Sequence, residues 1–344
     1  MRFSQHKEVA VLVLNWNGRT LLQQFLPSWL AHTPDYADLI IVDNGSTDDS
    51  VSFLQEHYRD VHLLAFEENL GFAGGYNRAI EELDYQTVIL LNSDVELTSG
   101  WLDQPMQLLN SSPEIAAVQP TLRAQRSPKD FEYAGAAGGF IDRLGYPFCR
   151  GRIFDTIEED QGQYADSVDL FWASGACLII RRAVYREVGG LDTLFFAHQE
   201  EIDLCWRLNA RGWRIVSAPQ SIVYHVGGAS LSADSPRKVF LNFRNNLLMI
   251  YKNLPAPTLH RVLFARMILD LVAMLVYLLR LRPGQAASVL KGWRCFLIKR
   301  QRYESTRQEN LKKTVLPISP ELMKPYSLLF QYYFKGRKRY SDLP

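Results

Sequence analysis

The 344-residue sequence predicts an α/β fold, a mostly parallel central sheet flanked by helices, followed by a helical, basic C-terminal extension. Three observations carry that prediction. Four short apolar runs, at 9–14, 39–42, 61–66 and 87–91, alternate with helix-forming stretches, as parallel strands covered on both faces do. Each run ends in a polar loop, so polar chemistry collects at the carboxyl edge of the sheet, where ligands bind in open α/β folds. The net charge of +1 conceals an asymmetry: residues 281–344 carry 14 Lys/Arg against 4 Asp/Glu, or +10, and residues 1–280 carry 24 against 33, or −9.

The first run opens into Asn15-Trp16-Asn17-Gly18 and the second into Asp43-Asn44-Gly45-Ser46-Thr47-Asp48, a turn able to cap a helix over 51–58. The third opens into Glu67-Glu68-Asn69-Leu70-Gly71, where Gly71-Phe72-Ala73-Gly74-Gly75 begins a helix, and the fourth into Asn92-Ser93-Asp94. Residues 131–164 are rich in Gly and aromatic side chains without a clear period; a mobile loop over a site and a plain connector fit them equally. A strand over 175–180 precedes an apolar helical pattern headed by Glu200, Glu201 and Asp203, and two short strands, 214–216 and 222–224, lead to His225. Beyond Phe240 the chain reads as helices broken at Pro255, Pro257 and Pro283-Gly284. The expected units are therefore a domain over 1–250 and an extension over 251–344. The stretch 262–281 is the one candidate span, but Arg266 and Asp270 interrupt the roughly 20 apolar residues a span needs, so it reads as a buried or interfacial amphipathic helix.

With 47% hydrophobic and 22% charged residues the chain is globular rather than disordered. Cys149, Cys177, Cys205 and Cys295 lie far apart with no Cys-x-x-Cys pair, as reduced thiols of a cytoplasmic protein would. The N-terminus reads as lacking a signal peptide. The expected location is the cytoplasm, with the basic extension able to reach the inner membrane face.

The glycines of 71–75 are spaced wrongly for a dinucleotide fingerprint, and no Walker-type Gly-Lys-Ser/Thr occurs. No nucleic-acid partner is expected. Three carboxylates within four positions at a helix start suggest a base, although a solvated first turn with an Asp203–Arg207 pair fits the same residues. Asp94 ends a buried strand, where an unpaired carboxylate is costly without a cation; His225, also at a strand end, could complete such a site or be structural. Asp43 could hydrogen-bond a base or ribose, and Asn69, Gly71 and Asn77 surround a helix start where an anion or sugar can approach.

Taken in order, Val13-Leu14-Asn15-Trp16-Asn17-Gly18, Val42 through Asp48, Asn69 through Asn77, Leu91-Asn92-Ser93-Asp94, Gly175 through Arg182 and the carboxylate helix through Gly212-Trp213 resemble glycosyltransferase family 2, in particular its bacterial rhamnosyltransferase-like branch. The resemblance covers residues 9–250 and implies the inverting chemistry and the nucleotide-diphospho-sugar transferase (GT-A) fold of that family. It implies that Asp43 reads the base, that Asn15, Asn17, Asn69, Gly71, Asn77, Asn92 and Ser93 shape the donor site, and that Arg244 contacts the diphosphate or the final loop. Asp94 matches the surviving carboxylate of an Asp-x-Asp motif, with His225 as second ligand of Mn or Mg; Gly175, Ala176 and Glu200 fall on the acceptor side. The family has Glu-Asp where this chain has Glu200-Glu201, which makes Glu201 the aligned base and Asp203 its reserve. Implied partners are a dTDP- or UDP-sugar donor and a glycan or lipid-linked acceptor of cell-surface polysaccharide synthesis; peripheral membrane contact is expected from the basic extension and the amphipathic 262–281 stretch. The rival reading is a catalytically silent sugar-nucleotide-binding or scaffold subunit.

Overall fold

A computed structural model describes residues 7–227 and 235–344; Met1 to His6, which carry most of the N-terminal reading, lie outside the described residues. The first half alternates β1 (Val9–Asn15), α1 (Arg19–His32), β2 (Ala37–Asn44), α2 (Ser50–His57), β3 (His62–Phe66), α3 (Gly71–Glu82) and β4 (Thr87–Asn92). Then come β5 (Val95–Leu97), α4 (Asp103–Ser111), β6 (Ile115–Ala124), β7 (Ser127–Phe131) and four short strands, β8 (Gly139–Asp142), β9 (Pro147–Cys149), β10 (Arg152–Ile153) and β11 (Thr156–Ile157). The second half holds β12 (Cys177–Arg181), α5 (Arg182–Glu187), α6 (Glu200–Ala210), β13 (Arg214–His225), α7 (Pro236–Asn253), α8 (Ala256–Leu279), α9 (Pro283–Lys299), α10 (Glu304–Lys312) and β14 (Met323–Lys324).

The main sheet runs β3-β2-β1-β4-β12-β6-β13-β5, with β7 beside β6. Strands β1 to β4 pair in parallel, as do β6 and β13, while β12 is antiparallel to both its neighbours. The apolar runs are continuous because both faces are buried: Ala10, Leu12, Ile40, Val42, Val88 and Leu90 pack with α3 and α6, and Val9, Val11, Val13, Ile41, Ile89 and Leu91 pack with α1 and α2. The two strands expected at 214–216 and 222–224 are one strand, β13, whose register shifts between Ala218 and Ile222 around Pro219, which has no N–H to give a ladder.

Residues 131–164, expected as a mobile loop or connector, instead build a second sheet in the order β11-β10-β9-β8-β14. Its last strand comes from the far end of the chain: Met323 pairs with Ile141, and the Leu328 N–H donates to the buried Asp142 Oδ2 at 2.7 Å. The proline breaks fall as expected, with α7 ending at Asn253, α8 starting at Ala256 and α9 at Pro283.

Candidate active site

The carboxyl ends of β1 and β2 are in register, Asn15 beside Asp43. Asp43 is buried; its Oδ1 accepts from Asn15 Nδ2 at 2.9 Å and its Oδ2 from the Ser46 N–H at 3.0 Å. Asn17, at φ 50°, accepts from the N–H groups of Thr47 (2.7 Å) and Asp48 (3.2 Å), tying the first polar loop to the second. Asn69 accepts from Asn44 Nδ2 at 3.0 Å and from the Gly71 N–H at 2.8 Å, which fixes the start of α3. Asn15 Oδ1 is left buried without a partner.

One strand further along, the Asn92 N–H donates to the Ala176 carbonyl at 2.9 Å, and Ser93-Asp94 turns the chain from β4 into β5. Because β5 pairs with the end of β13, Asp94 Oδ1 lies 3.0 Å from His225 Nε2. Both side chains are buried. The other ring nitrogen, Nδ1, lies 3.3 Å from Glu132 Oε1, and Glu132 is held in turn by the Ala134 N–H. Gly227 sits at φ 67°, the left-handed region that favours glycine, and a Cβ there would come within 2.7 Å of that Glu132 oxygen. Burial alone would lower the His225 pKa, but the hydrogen bond to Asp94 and the Glu132 carboxylate outweigh it and push it up to about 10. Among the described residues no cluster of three or more His, Cys, Asp or Glu is arranged to hold a metal. Asp94 and His225 could supply at most two ligands, with the Glu132 carboxylate fixing the imidazole from behind, and a set that small would suit a cation that keeps oxygen ligands of its substrate.

Glu200 and Glu201 open α6, and each leaves Oε2 buried without a partner. Burial raises the Glu201 pKa to about 7, and burial together with the Glu201 charge raises that of Glu200. The helix dipole favours ionised acids at this end, so desolvation wins here. A Cβ on Gly175 would lie 3.7 Å from that of Glu201 and 3.3 Å from the Phe72 ring, which puts the root of the Glu201 side chain beside the β12 approach and near the start of α3.

The loop before α6 is strained, with Phe196, His198 and Gln199 at φ 69°, 70° and 75°. It persists because α7 holds it. Asn245 Nδ2 donates to the carbonyls of Phe195 (3.0 Å), Ala197 (2.8 Å) and His198 (2.7 Å), and Arg244 Nη2 donates to that of Phe195 (2.7 Å). Asn246 donates to Gln199 Oε1 at 3.0 Å. Arg244, expected on the diphosphate or the final loop, instead donates to the backbone of the loop before α6. Asn77, expected in the donor pocket, donates to the Leu191 carbonyl (2.8 Å) and accepts from Tyr185 Oη (2.6 Å) and the Leu191 N–H (3.0 Å), so both its ends hold the same loop from the α3 side.

The Asp203–Arg207 pair is present at 3.0 Å but buried, not solvated as expected. Asp203 also accepts from Lys252 Nζ (2.8 Å) and Asn253 Nδ2 (2.9 Å), and the Lys252 and Arg207 charges, with these hydrogen bonds, outweigh burial and keep its pKa low. Fully enclosed and fully partnered, it offers no oxygen to a substrate, which removes it as a reserve base. Sequence reasoning missed Glu132, Asn246, Lys252 and Asn253. The last three could have been suspected as polar residues inside an apolar helical pattern, whereas Glu132 gave no signal.

The model of Glycosyl transferase family 2 matches residues 10–189, more than half of the chain and most of this edge. The chain belongs to that family. It is a glycosyltransferase with a GT-A fold. It is 28% identical over 242 residues to the N-acetylglucosaminyl-diphospho-decaprenol L-rhamnosyltransferase of Mycobacterium tuberculosis, covering 65% of this chain and 78% of that one. It is 21% identical over 251 residues to the low-salt glycan biosynthesis hexosyltransferase Agl10 of Haloferax volcanii, covering 70% and 75%. Among solved structures it is similar to GalNAc-T7 with UDP, GalNAc and Mn2+ (TM-score 0.56, 15% identity), covering 74% of this chain and about half, 49%, of that one. It is also similar to the mannosyltransferase PcManGT from Pyrobaculum calidifontis with GDP-Man and Mn2+ (TM-score 0.52, 14% identity), covering 90% and 87%.

Proposed function

We propose that this glycosyltransferase moves a sugar, rhamnose or a hexose, with inversion from a dTDP- or UDP-linked donor to a hydroxyl of a glycan or lipid-linked saccharide, in the cytoplasm and for cell-surface polysaccharide synthesis. The observation that carries the reading is the half-buried Glu201, whose Oε2 is enclosed and without a partner, on the same sheet edge as Asp43 and the Asp94–His225 pair. Residues 1–250 form the catalytic unit in this reading, and 251–344 its extension.

Asp43 and the partnerless Asn15 Oδ1 accept hydrogen bonds from the base and ribose; Asn17, Asn69 and Gly71 hold the loops around them, and Asn92-Ser93 line the sugar side. Asp94 and His225 would hold a divalent cation, Mn or Mg, which when bound supplies positive charge against the charge developing on the departing nucleoside diphosphate. Glu201 Oε2 takes the proton of the acceptor hydroxyl as that oxygen bonds the anomeric carbon and the diphosphate leaves from the opposite face. General-base help of this kind is worth about 10²- to 10⁴-fold. Gly175 and Ala176 leave room for the acceptor, and Glu200, whose pKa burial and the Glu201 charge push up, faces the same side. Asp203 is structural.

A thermal-shift screen of sugar nucleotides with and without Mn2+, followed by a transfer assay on the ligands that stabilise, tests the reading. A ligand at 100 times its Kd adds about 2.7 kcal/mol to folding stability. One nucleotide class should stabilise the protein only with the cation and be consumed. Stabilisation without hydrolysis or transfer to any acceptor would mark a silent sugar-nucleotide-binding subunit instead.

A further inference from the structure

A helix on the outside of a water-soluble protein turns its apolar side inward; α8 buries Leu259 and Val262 but turns most of its apolar residues outward. Its inward face includes Arg266 and Asp270, 2% and 1% exposed. Arg266 donates to the Leu144 carbonyl (3.2 Å), to Asn246 Oδ1 and to Asp270 Oδ1 (3.4 Å), and Trp293 Nε1 donates to Asp270 Oδ2 (3.0 Å). Its outward stripe, Phe264, Ile268, Leu271, Leu275 and Leu278, follows the 4-3-4-3 spacing of one helix face and is 42% to 63% exposed. The C-terminal segment extends this face. Side chains of α8 and of residues 325–334 share the walls of a groove of about 640 Å³, and Tyr333 and Phe334 project from the segment into solvent. Cations rim the aromatic end: Lys338 Nζ is 3.6 Å from the Tyr332 ring centre, Lys335 Nζ is 5.7 Å from that of Phe330, and the exposed Arg280 acts electrostatically on the Tyr333 hydroxyl.

We infer that α8 and the 329–338 segment seat this protein in the surface of an anionic phospholipid bilayer, with α8 lying in the interface plane. Contiguous exposed apolar surface marks an interaction site, and an aromatic border with Lys and Arg beside it matches the boundary between acyl chains and negative headgroups. The +10 charge of residues 281–344 complements that surface and would oppose docking of a second copy through the same basic rim. By length and composition α8 could cross a membrane, its 24 residues reaching about 36 Å. Crossing would pull Arg266 and Asp270 away from Asn246, Leu144 and Trp293 into hydrocarbon, whereas in-plane seating leaves them inside the protein. The inference does not rest on the sugar-transfer reading, because vesicle binding and transfer are measured separately.

The test is flotation of the full chain with vesicles of phosphatidylcholine and with vesicles of equal parts phosphatidylcholine and phosphatidylglycerol. The wild type should float with the mixed vesicles and be released by high salt. Leu271→Glu with Leu275→Glu should abolish flotation while keeping the wild-type melting temperature, since both positions face outward. Lys335→Glu with Lys338→Glu should weaken binding to mixed vesicles more than about 10-fold, each near-surface cation being worth about 5-fold. Should the α8 pair fail to fold, Tyr333→Ser with Phe334→Ser repeats the test on the other half of the face. Wild type that floats with neither vesicle, or an α8 variant that turns a dimer into a monomer without changing flotation, overturns the inference. Retention through a carbonate wash overturns in-plane seating in favour of a span.

Discussion

Glu201→Gln separates activity from stability in a way that a merely structural carboxylate would not. Glu201 titrates at about 7 in the folded protein against an ordinary 4.5, because burial disfavours its charge. A carboxylate raised in this way favours folding fully only below its unfolded pKa, and that contribution is lost as pH climbs through 7. The gap corresponds to about 3 kcal/mol at pH 8 and to nothing at pH 4. An amide of the same shape never ionises, so Glu201→Gln should melt several degrees above wild type at pH 8, at about 2–4 °C per kcal/mol, with the difference shrinking toward pH 5. The same variant should bind donor normally but turn over about 10²-fold more slowly or worse, because the amide cannot take the proton. In the wild type kcat/KM should rise with pH and level off above about 7. Melting curves at three pH values and initial rates across the same range are the assay. A variant that keeps most of its turnover locates the base elsewhere, and a stability difference independent of pH means that the Glu201 charge is not buried.

Asp94→Ala should abolish Mn2+-dependent donor binding and His225→Ala should weaken it less, both read by calorimetry; equal affinity for Asp94→Ala and wild type rules out the pair as ligands. Because His225 is protonated between two carboxylates at neutral pH, Mn2+ binding should release close to one proton, visible as a dependence of the calorimetric heat on the buffer's ionisation enthalpy. No such dependence would mean that the imidazole is not displaced from its proton. Asp203→Asn should cost about 3 kcal/mol or more in chemical denaturation, since it leaves Lys252 and Arg207 buried against a neutral group. A variant as stable as wild type but inactive would return Asp203 to the reacting centre.

The sheet was readable because strands buried on both faces write continuous apolar runs, and its ligand edge was readable because every run ends in polar residues. β6 escaped notice because Gln119, Pro120 and Thr121 interrupt it, and strands of two to four residues such as β9 to β11 are too short to show a period. Asp94 and His225 each signalled themselves as polar groups at strand ends, yet their contact joins positions 131 residues apart and depends on β5 folding back onto β13. The Asp203–Arg207 spacing was legible within one helix, but its burial was not, since Lys252 and Asn253 arrive from α7. Asn77 and Arg244 misled for the same reason: a polar side chain near a ligand edge looks alike whether it faces a substrate or ties down a loop, and only the partner decides.

The unusual backbone at Phe196, His198 and Gln199 has a practical corollary for anyone recombining such enzymes. The segment that aims Glu200 and Glu201 carries its own conformational cost, and the side chains that offset it belong mainly to α7, 47 to 50 residues later, with Asn77 of α3 holding its start. A graft of residues 193–201 alone would arrive without its clamp and relax, turning the carboxylates away from Gly175. The smallest transplantable cassette therefore consists of three pieces, the loop with α6, the Arg244-Asn245-Asn246 turn of α7 and the α3 turn that carries Asn77, and chimeras should be cut so that all come from the same parent.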